Sequence, residues 1–199
     1  MRLSLTAAPD GTAVSLADMK AHLRWQTDSE DVLIEAAIVS AEASLEGRRG
    51  RLNRAFLTQT WELKLPRFWR GSLGLPFAPL QSVDAITYKT ALGATATVDP
   101  AVYDVDADSE PGAITLNPGQ SWPSDLADAL DAVTIEFTAG YGGAASVPEP
   151  IKSAIKLIAA DLFQHREAQT MGVDLKPNAT VDRVLRSYLV YNPHAIRFA

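Results

Sequence analysis

The residues best suited to acid–base or metal chemistry are three histidines, His22, His165 and His194, and they lie far apart in the chain. None falls in a ligand spacing such as H-x-x-x-H. His165 sits near the end of a predicted helix, where the helix dipole accounts for it. All three are read as structural or surface residues. The chain has no cysteine, which excludes disulfides, zinc–thiolate sites and a thiol nucleophile. It also lacks the G-x-S-x-G, Walker and G-x-G-x-x-G patterns. The glycine-rich run Ala139-Gly140-Tyr141-Gly142-Gly143 has no following lysine and no immediate helix. It reads as a connection that needs backbone freedom, not as a phosphate cradle. Asp104, Asp106 and Asp108 alternate as calcium ligands can, but an EF-hand would need Gly and Glu where Ser109 and Thr115 stand. These three acids read as a solvated sheet edge guarded by charge. No catalytic, metal or cofactor site is expected.

Two features point outward instead. Arg48, Arg49, Arg51 and Arg54 form a basic cluster just past the longest helical pattern. It either complements the helix dipole or meets an anion, whether phosphate or the acidic surface of a partner. Phe68 and Trp69, beside Arg67 and Arg70, either extend such a contact as exposed aromatics or cap the core of a sheet. The last segment, 191–199, has no helical period yet carries Tyr191, Pro193, Ile196, Arg197 and Phe198. An apolar tail of that kind reads as a peptide that docks on a neighbour.

The elements that must position these residues follow from periodicity. Ser15 to Asp18 reads as a capping box opening a short helix through Arg24. The stretch 28–51 carries Ile34, Ala37, Ile38, Ala41 and Leu45 at helical spacing, with Asp28 or Ser29 as its cap. Val32, Leu33, Ala36 and Val39 widen its apolar stripe, so this helix is either buried centrally or packed against neighbours on more than one flank. From Thr60 the pattern alternates, with Trp61, Leu63 and Leu65 on one face, and short strands broken by Pro and Gly continue to Gly143. Pro150 opens another helix with Ile151, Ala154, Ile155, Ile158, Ala159 and Leu162 in its stripe. A last helix is expected from 181 to about 190, capped by Thr180, with Val184, Leu185, Tyr188 and Leu189 inward. The fold class is therefore α+β. Residues 1–57 and 144–190 form one helical domain, 58–143 an inserted antiparallel β-region, and 191–199 a tail.

Composition fits a globular chain with a real core. The N-terminus lacks the apolar run of a signal peptide and no segment is long enough to span a membrane, so a soluble protein made in the cytoplasm is expected. A net charge of −6 argues against sequence-independent duplex binding, which needs many phosphate contacts.

An ordered series of residues resembles the head–tail connector, or adaptor, proteins of tailed phages and gene transfer agents. It begins with Lys20, Leu23-Arg24, Glu30-Asp31, Ile34, Ile38, Ala41-Glu42 and Gly47-Arg48. It continues through Gln59-Thr60-Trp61, Leu75-Pro76, Ala78-Pro79-Leu80, Ser82-Val83, Ile86 and Tyr88. Trp122-Pro123, Ala139-Gly140-Tyr141, Val147-Pro148, Pro150-Ile151-Lys152, Ala154-Ile155 and Arg166-Glu167 complete it. The resemblance spans roughly residues 14–190. It implies a structural virion protein with no enzymatic activity and no cofactor. Such proteins form a ring, commonly of twelve copies, between the portal protein and a stopper or other tail-side ring. DNA passes through the channel without specific binding. The resemblance implies that the helical bundle builds the ring and that the C-terminal segment reaches the portal. Arg48, Arg49, Arg51, Arg54, Tyr191, Pro193, Ile196, Arg197 and Phe198 are then candidates for portal or subunit contact. The competing reading is a nucleic-acid-binding module using the basic cluster. A third, an enzyme with an unrecognised acidic site in the β-region, lacks any nucleophile–base constellation.

Overall fold

Ser15 starts the first helix as the sequence predicts. Its hydroxyl accepts the Asp18 backbone N–H at 3.1 Å and donates to the Asp18 carboxylate at 2.7 Å. Helix α1 (Leu16–Leu23) ends at Arg24, whose left-handed backbone reverses the chain. Helix α2 (Asp31–Leu45) is shorter than the 28–51 pattern. Asp28 does not cap it. With Asp31 it holds the Lys20 ammonium, at 2.6 and 2.7 Å, and so ties α1 to α2; Glu30 takes the cap position, where its side chain does not cap the helix. Beyond α2, Gly47 adopts a left-handed φ of 74°, and its N–H reaches the Arg54 carbonyl at 2.8 Å. The computed structural model describes residues 1–47, 50–165 and 179–190.

Helix α3 (Glu149–Gln164) carries Pro150 in its first turn, and α4 (Ala179–Leu185) runs into one 3-10 turn at Arg186–Tyr188. That tighter turn shifts the side-chain phase. Val181 and Leu185 are buried ahead of it, and beyond it Val190 is buried while Leu189, expected inward, is exposed. Leu162 is exposed as well, and Phe163 takes the buried position instead. The helices close around Met19, Ile34, Ile38, Leu45, Ile151 and Ile155.

The β-region holds a second core. Strands β1 (Arg2–Ala7), β2 (Gln59–Leu65), β4 (Leu80–Lys89), β5 (Thr95–Thr97) and β8 (Val133–Ala139) form an antiparallel sheet ordered β1-β2-β8-β4-β5. Strands β3 (Leu73–Gly74), β7 (Ala113–Leu116) and β6 (Tyr103–Asp106) form a smaller one in that order. Leu63 pairs with Ile135 in the middle of the large sheet, and both are fully buried. Residues 2–7, grouped with the helices on sequence, extend the sheet as an edge strand. Their side chains are nearly all exposed, which removes the alternation that marks a half-buried strand. Phe68 and Trp69 are buried in this core and are not surface aromatics. Asp106 accepts the N–H groups of Asp108 and Ser109 at 3.1 and 3.0 Å, so it shapes a turn.

Polar ties join the two cores. Gly140, at a φ of 124°, passes so close to the Leu57 carbonyl that a Cβ there would overlap backbone. Glu46 accepts the Phe56 N–H at 2.5 Å and the Gln59 side chain at 2.8 Å, linking α2 to the start of β2. Arg54 is the main tie, with only 3% of its side chain exposed. Its Nη1 and Nη2 both donate to the Glu110 carboxylate, and its Nε donates to the Tyr188 carbonyl at 2.6 Å. The rings of Tyr141 and Tyr188 lie 5.8 and 5.9 Å from the guanidinium.

Two expectations follow. Glu42 is buried in the helical core and accepts the N–H groups of Ala13 and Val14 at 2.7 and 3.2 Å. Burial pushes its pKa from 4.5 up to about 7, against the pull of those two donors and with help from the Glu46 charge. The native state therefore holds a proton that the unfolded chain has lost, and stability falls as pH rises from about 4.5 to about 7. Chemical denaturation of Glu42→Gln against pH should show this slope reduced by roughly 2–3 kcal/mol over that window. An unchanged slope would show that Glu42 does not titrate there.

The second concerns the asymmetry of the Arg54 pair, since Glu110 keeps 46% of its side chain exposed. Removing Glu110 strands a buried cation, whereas removing Arg54 frees a carboxylate that water can reach. Urea unfolding of Glu110→Ala should show a loss of about 2–4 kcal/mol, part of it recovered in Arg54→Met/Glu110→Ala. Additive losses in that cycle would mean the two groups do not depend on each other.

Candidate subunit and partner interface

Helix α2 is apolar on two sides for separate reasons. One stripe, Ile34, Ala37, Ile38, Ala41 and Leu45, fills the helical core. The other, Val32, Ala36, Val39 and Ala43, recurs at the same helical spacing but faces solvent. Val32 is 78% exposed, Val39 55% and Leu33 48%. Leu162 of α3 lies exposed alongside, and a groove of about 230 Å³ runs between Leu33, Ala36, Ser40 and Leu162. Small residues in its floor let another backbone approach closely. An apolar helix face of this length is what a protein–protein contact needs. The sequence showed these residues but not which flank the domain itself would use.

The basic cluster divides. Arg54 is drawn inside and fully engaged by Glu110 and Tyr188, so its guanidinium is not offered to a partner or to DNA in this chain. The driving force is the cost of leaving a buried cation unpaired. Glu110 is held below the usual carboxylate range by that hydrogen bond. Arg51 stays on the surface, paired with Asp182 of α4 at 2.5 Å while both side chains remain roughly half exposed. Such a pair is weak and leaves Arg51 free to exchange partners. Arg48 and Arg49 lie outside the described residues, as do Tyr191, Pro193, Ile196, Arg197 and Phe198.

The point where the tail begins is nonetheless fixed. The Val190 N–H donates to the Leu52 carbonyl at 3.2 Å, and Val190 is buried. The chain therefore enters 191–199 from beside the segment that carries Arg51 and Arg54. Residues far apart in sequence, Val190 and the backbone between Arg51 and Arg54, thus meet on one side of the molecule. Sequence reasoning missed the agents of that meeting, Glu110 and the Tyr188 carbonyl, because neither carries a local signal. Among the described residues no group of His, Asp and Glu is arranged to hold a metal ion, and no helix is long and apolar enough to cross a membrane.

No family model and no curated protein matches the chain. Solved structures do. The chain is similar to one in the neck of an empty gene transfer agent particle computed with C6 symmetry, at 25% identity and a TM-score of 0.79, covering 99% of this chain and 100% of that one. It is similar to a chain of the virion of a native gene transfer agent particle, at 24% identity and a TM-score of 0.77, covering 98% of each. A third match, to the neck of a native particle computed with C12 symmetry, has 24% identity and a TM-score of 0.72 over 99% of this chain and 100% of that one. With both regions inside the match, the chain shares its whole α+β fold with chains of gene transfer agent particles.

Proposed function

We propose that this chain is a structural virion protein of a phage-like neck, a head–tail adaptor that forms a ring around the DNA channel and has no enzymatic role. The observation that carries the reading is the end-to-end likeness to chains of gene transfer agent necks computed with C6 and C12 symmetry. The ring stands between the portal protein and the next tail-side ring, and DNA passes through it without specific binding. The acidic balance of the chain, −6, suits a wall that does not grip phosphate. The outward stripe of α2 supports the ring reading, because a rotationally repeated subunit needs a face for its neighbour. Val32, Val39 and Leu33 supply the apolar area, and Ala36, Ser40 and Ala43 the close approach. The tail 191–199, together with Arg48, Arg49 and Arg51, is the portal contact in this reading.

The subunit face is tested with Leu33→Glu/Val39→Glu. Both side chains are exposed in the single chain, so the melting temperature should hold. Each unpaired Glu buried at a subunit contact costs about 1–3 kcal/mol, which weakens association by roughly tenfold or more. Electron microscopy of the protein mixed with its portal should then show no rings. Rings of normal abundance would remove α2 from the interface. The tail is tested separately by deleting residues 191–199, which should leave a folded chain that no longer co-purifies with portal assemblies. Undiminished pulldown would overturn the role given to the tail.

A further inference from the structure

The β-region carries a surface site that the ring reading does not use. Its floor is aromatic. Trp122 stacks parallel on Phe68 with ring centroids 4.9 Å apart, and Trp69 leans against Trp122 at 4.6 Å. The polar edges of both indoles are spent internally, Trp122 Nε1 donating to the Trp69 carbonyl at 3.1 Å and Trp69 Nε1 to the Ile114 carbonyl at 3.2 Å. Above this floor opens a cavity of about 510 Å³, walled by Pro123 and Leu126 and flanked by Arg67 and Arg70. Both arginines are exposed, and neither guanidinium makes an ion pair or hydrogen bond with a described residue. Several other cations pair with an acid, among them Lys20, Lys64, Lys89, Lys152, Arg51 and Arg54, so what sets Arg67 and Arg70 apart is their place at the rim of an aromatic hollow. Arg67 also lines a second depression of about 430 Å³, formed with Pro66, Asp128, Ala129 and the exposed Leu130.

We propose that this double depression binds an extended acidic peptide segment of another protein, with a large apolar side chain over Trp122 and a carboxylate held between Arg67 and Arg70. The guanidinium groups of Arg67 and Arg70, neither paired with a described acid, supply the local complementarity at the rim of the hollow. Two hollows that share Arg67 in their linings suit a chain with side chains for each better than one compact ligand. Single-stranded nucleic acid also stacks on aromatics, but it places a phosphate at every nucleotide, and Asp128 in the second hollow repels that run of charge. A peptide can put its acid at the arginines and an apolar residue against Leu130. The site stands independently of the ring reading and its subunit face.

The test is a ribosome-display selection of random peptides, about a dozen residues long, against the full chain. Enriched sequences should share Asp or Glu next to Trp, Phe or Leu. Fluorescence polarisation of the best peptide should weaken by about tenfold or more in Arg67→Glu/Arg70→Glu and should fall as salt rises. Leu130→Glu, a fully surface change, should weaken the same peptide while leaving the melt unchanged. Absence of enriched binders, a consensus without acids, or equal affinity for the double variant would overturn the proposal. So would single-stranded DNA binding at the site in place of peptide, or self-association abolished by the Arg67/Arg70 change, which would assign the surface to a second copy.

Discussion

A cation inside a protein must be answered on every side, and Arg54, whose backbone is also held, draws four segments together at once. A buried guanidinium without partners costs several kcal/mol, so the groups around it have little freedom to move apart. Glu110 comes from the loop between β6 and β7, and the Tyr188 carbonyl from the turn after α4. The Arg54 carbonyl takes the Gly47 N–H at the end of α2, and its backbone bridges Ala78 before β4. Helical and β cores are thereby fixed to each other through the side chain and backbone of one residue. The junction is polar and satisfied. It resembles an interior, not a sliding contact between domains.

The same logic governs α2. Glu42 and Glu46 sit one turn apart on its inner side and would be a liability there if unpaired. Each instead accepts backbone N–H groups, Glu42 from the chain before α1 and Glu46 from the chain before β2. Burial raises the pKa of both, so the local design tolerates a protonated carboxyl in exchange for anchoring two connections. An inner face occupied in this way is committed to the fold. What remains for a neighbour is the outer stripe of Val32, Ala36, Val39 and Ala43.

Periodic features were legible in the sequence and contextual ones were not. The Ser15 cap, the α2 core stripe, the Pro150 start and the Trp61–Leu65 alternation are local patterns set by two or three neighbouring residues, and the structure holds them. Strand β1 escaped because an exposed edge strand has no alternation to read. Phe68 and Trp69 were ambiguous because burial depends on what covers them, and the cover, Trp122 and Tyr88, lies far along the chain. Arg54 looked like a member of a surface cluster for the same reason. Charge clusters read as surface by default, and only Glu110, remote in sequence, turns this one inward. The end of α4 was misphased because a single 3-10 turn rotates every later side chain.

The two unpartnered surfaces belong to different cores, and the Arg54 junction determines how they relate. The apolar stripe of α2 lies on the helical unit, while the arginine-flanked aromatic hollow lies among the β-region loops. Were the units loosely tethered, each surface would find its own partner without constraint on the other. Because Arg54, Glu46 and the close passage at Gly140 bind the units through satisfied polar contacts, they behave as one body. A neighbour that orders α2 therefore also sets where the β-region points. In a ring, that coupling repeats the aromatic hollow at a fixed radius and height around the axis. A single weak peptide site becomes a circle of equivalent sites, for which a multivalent partner gains avidity without any new contact.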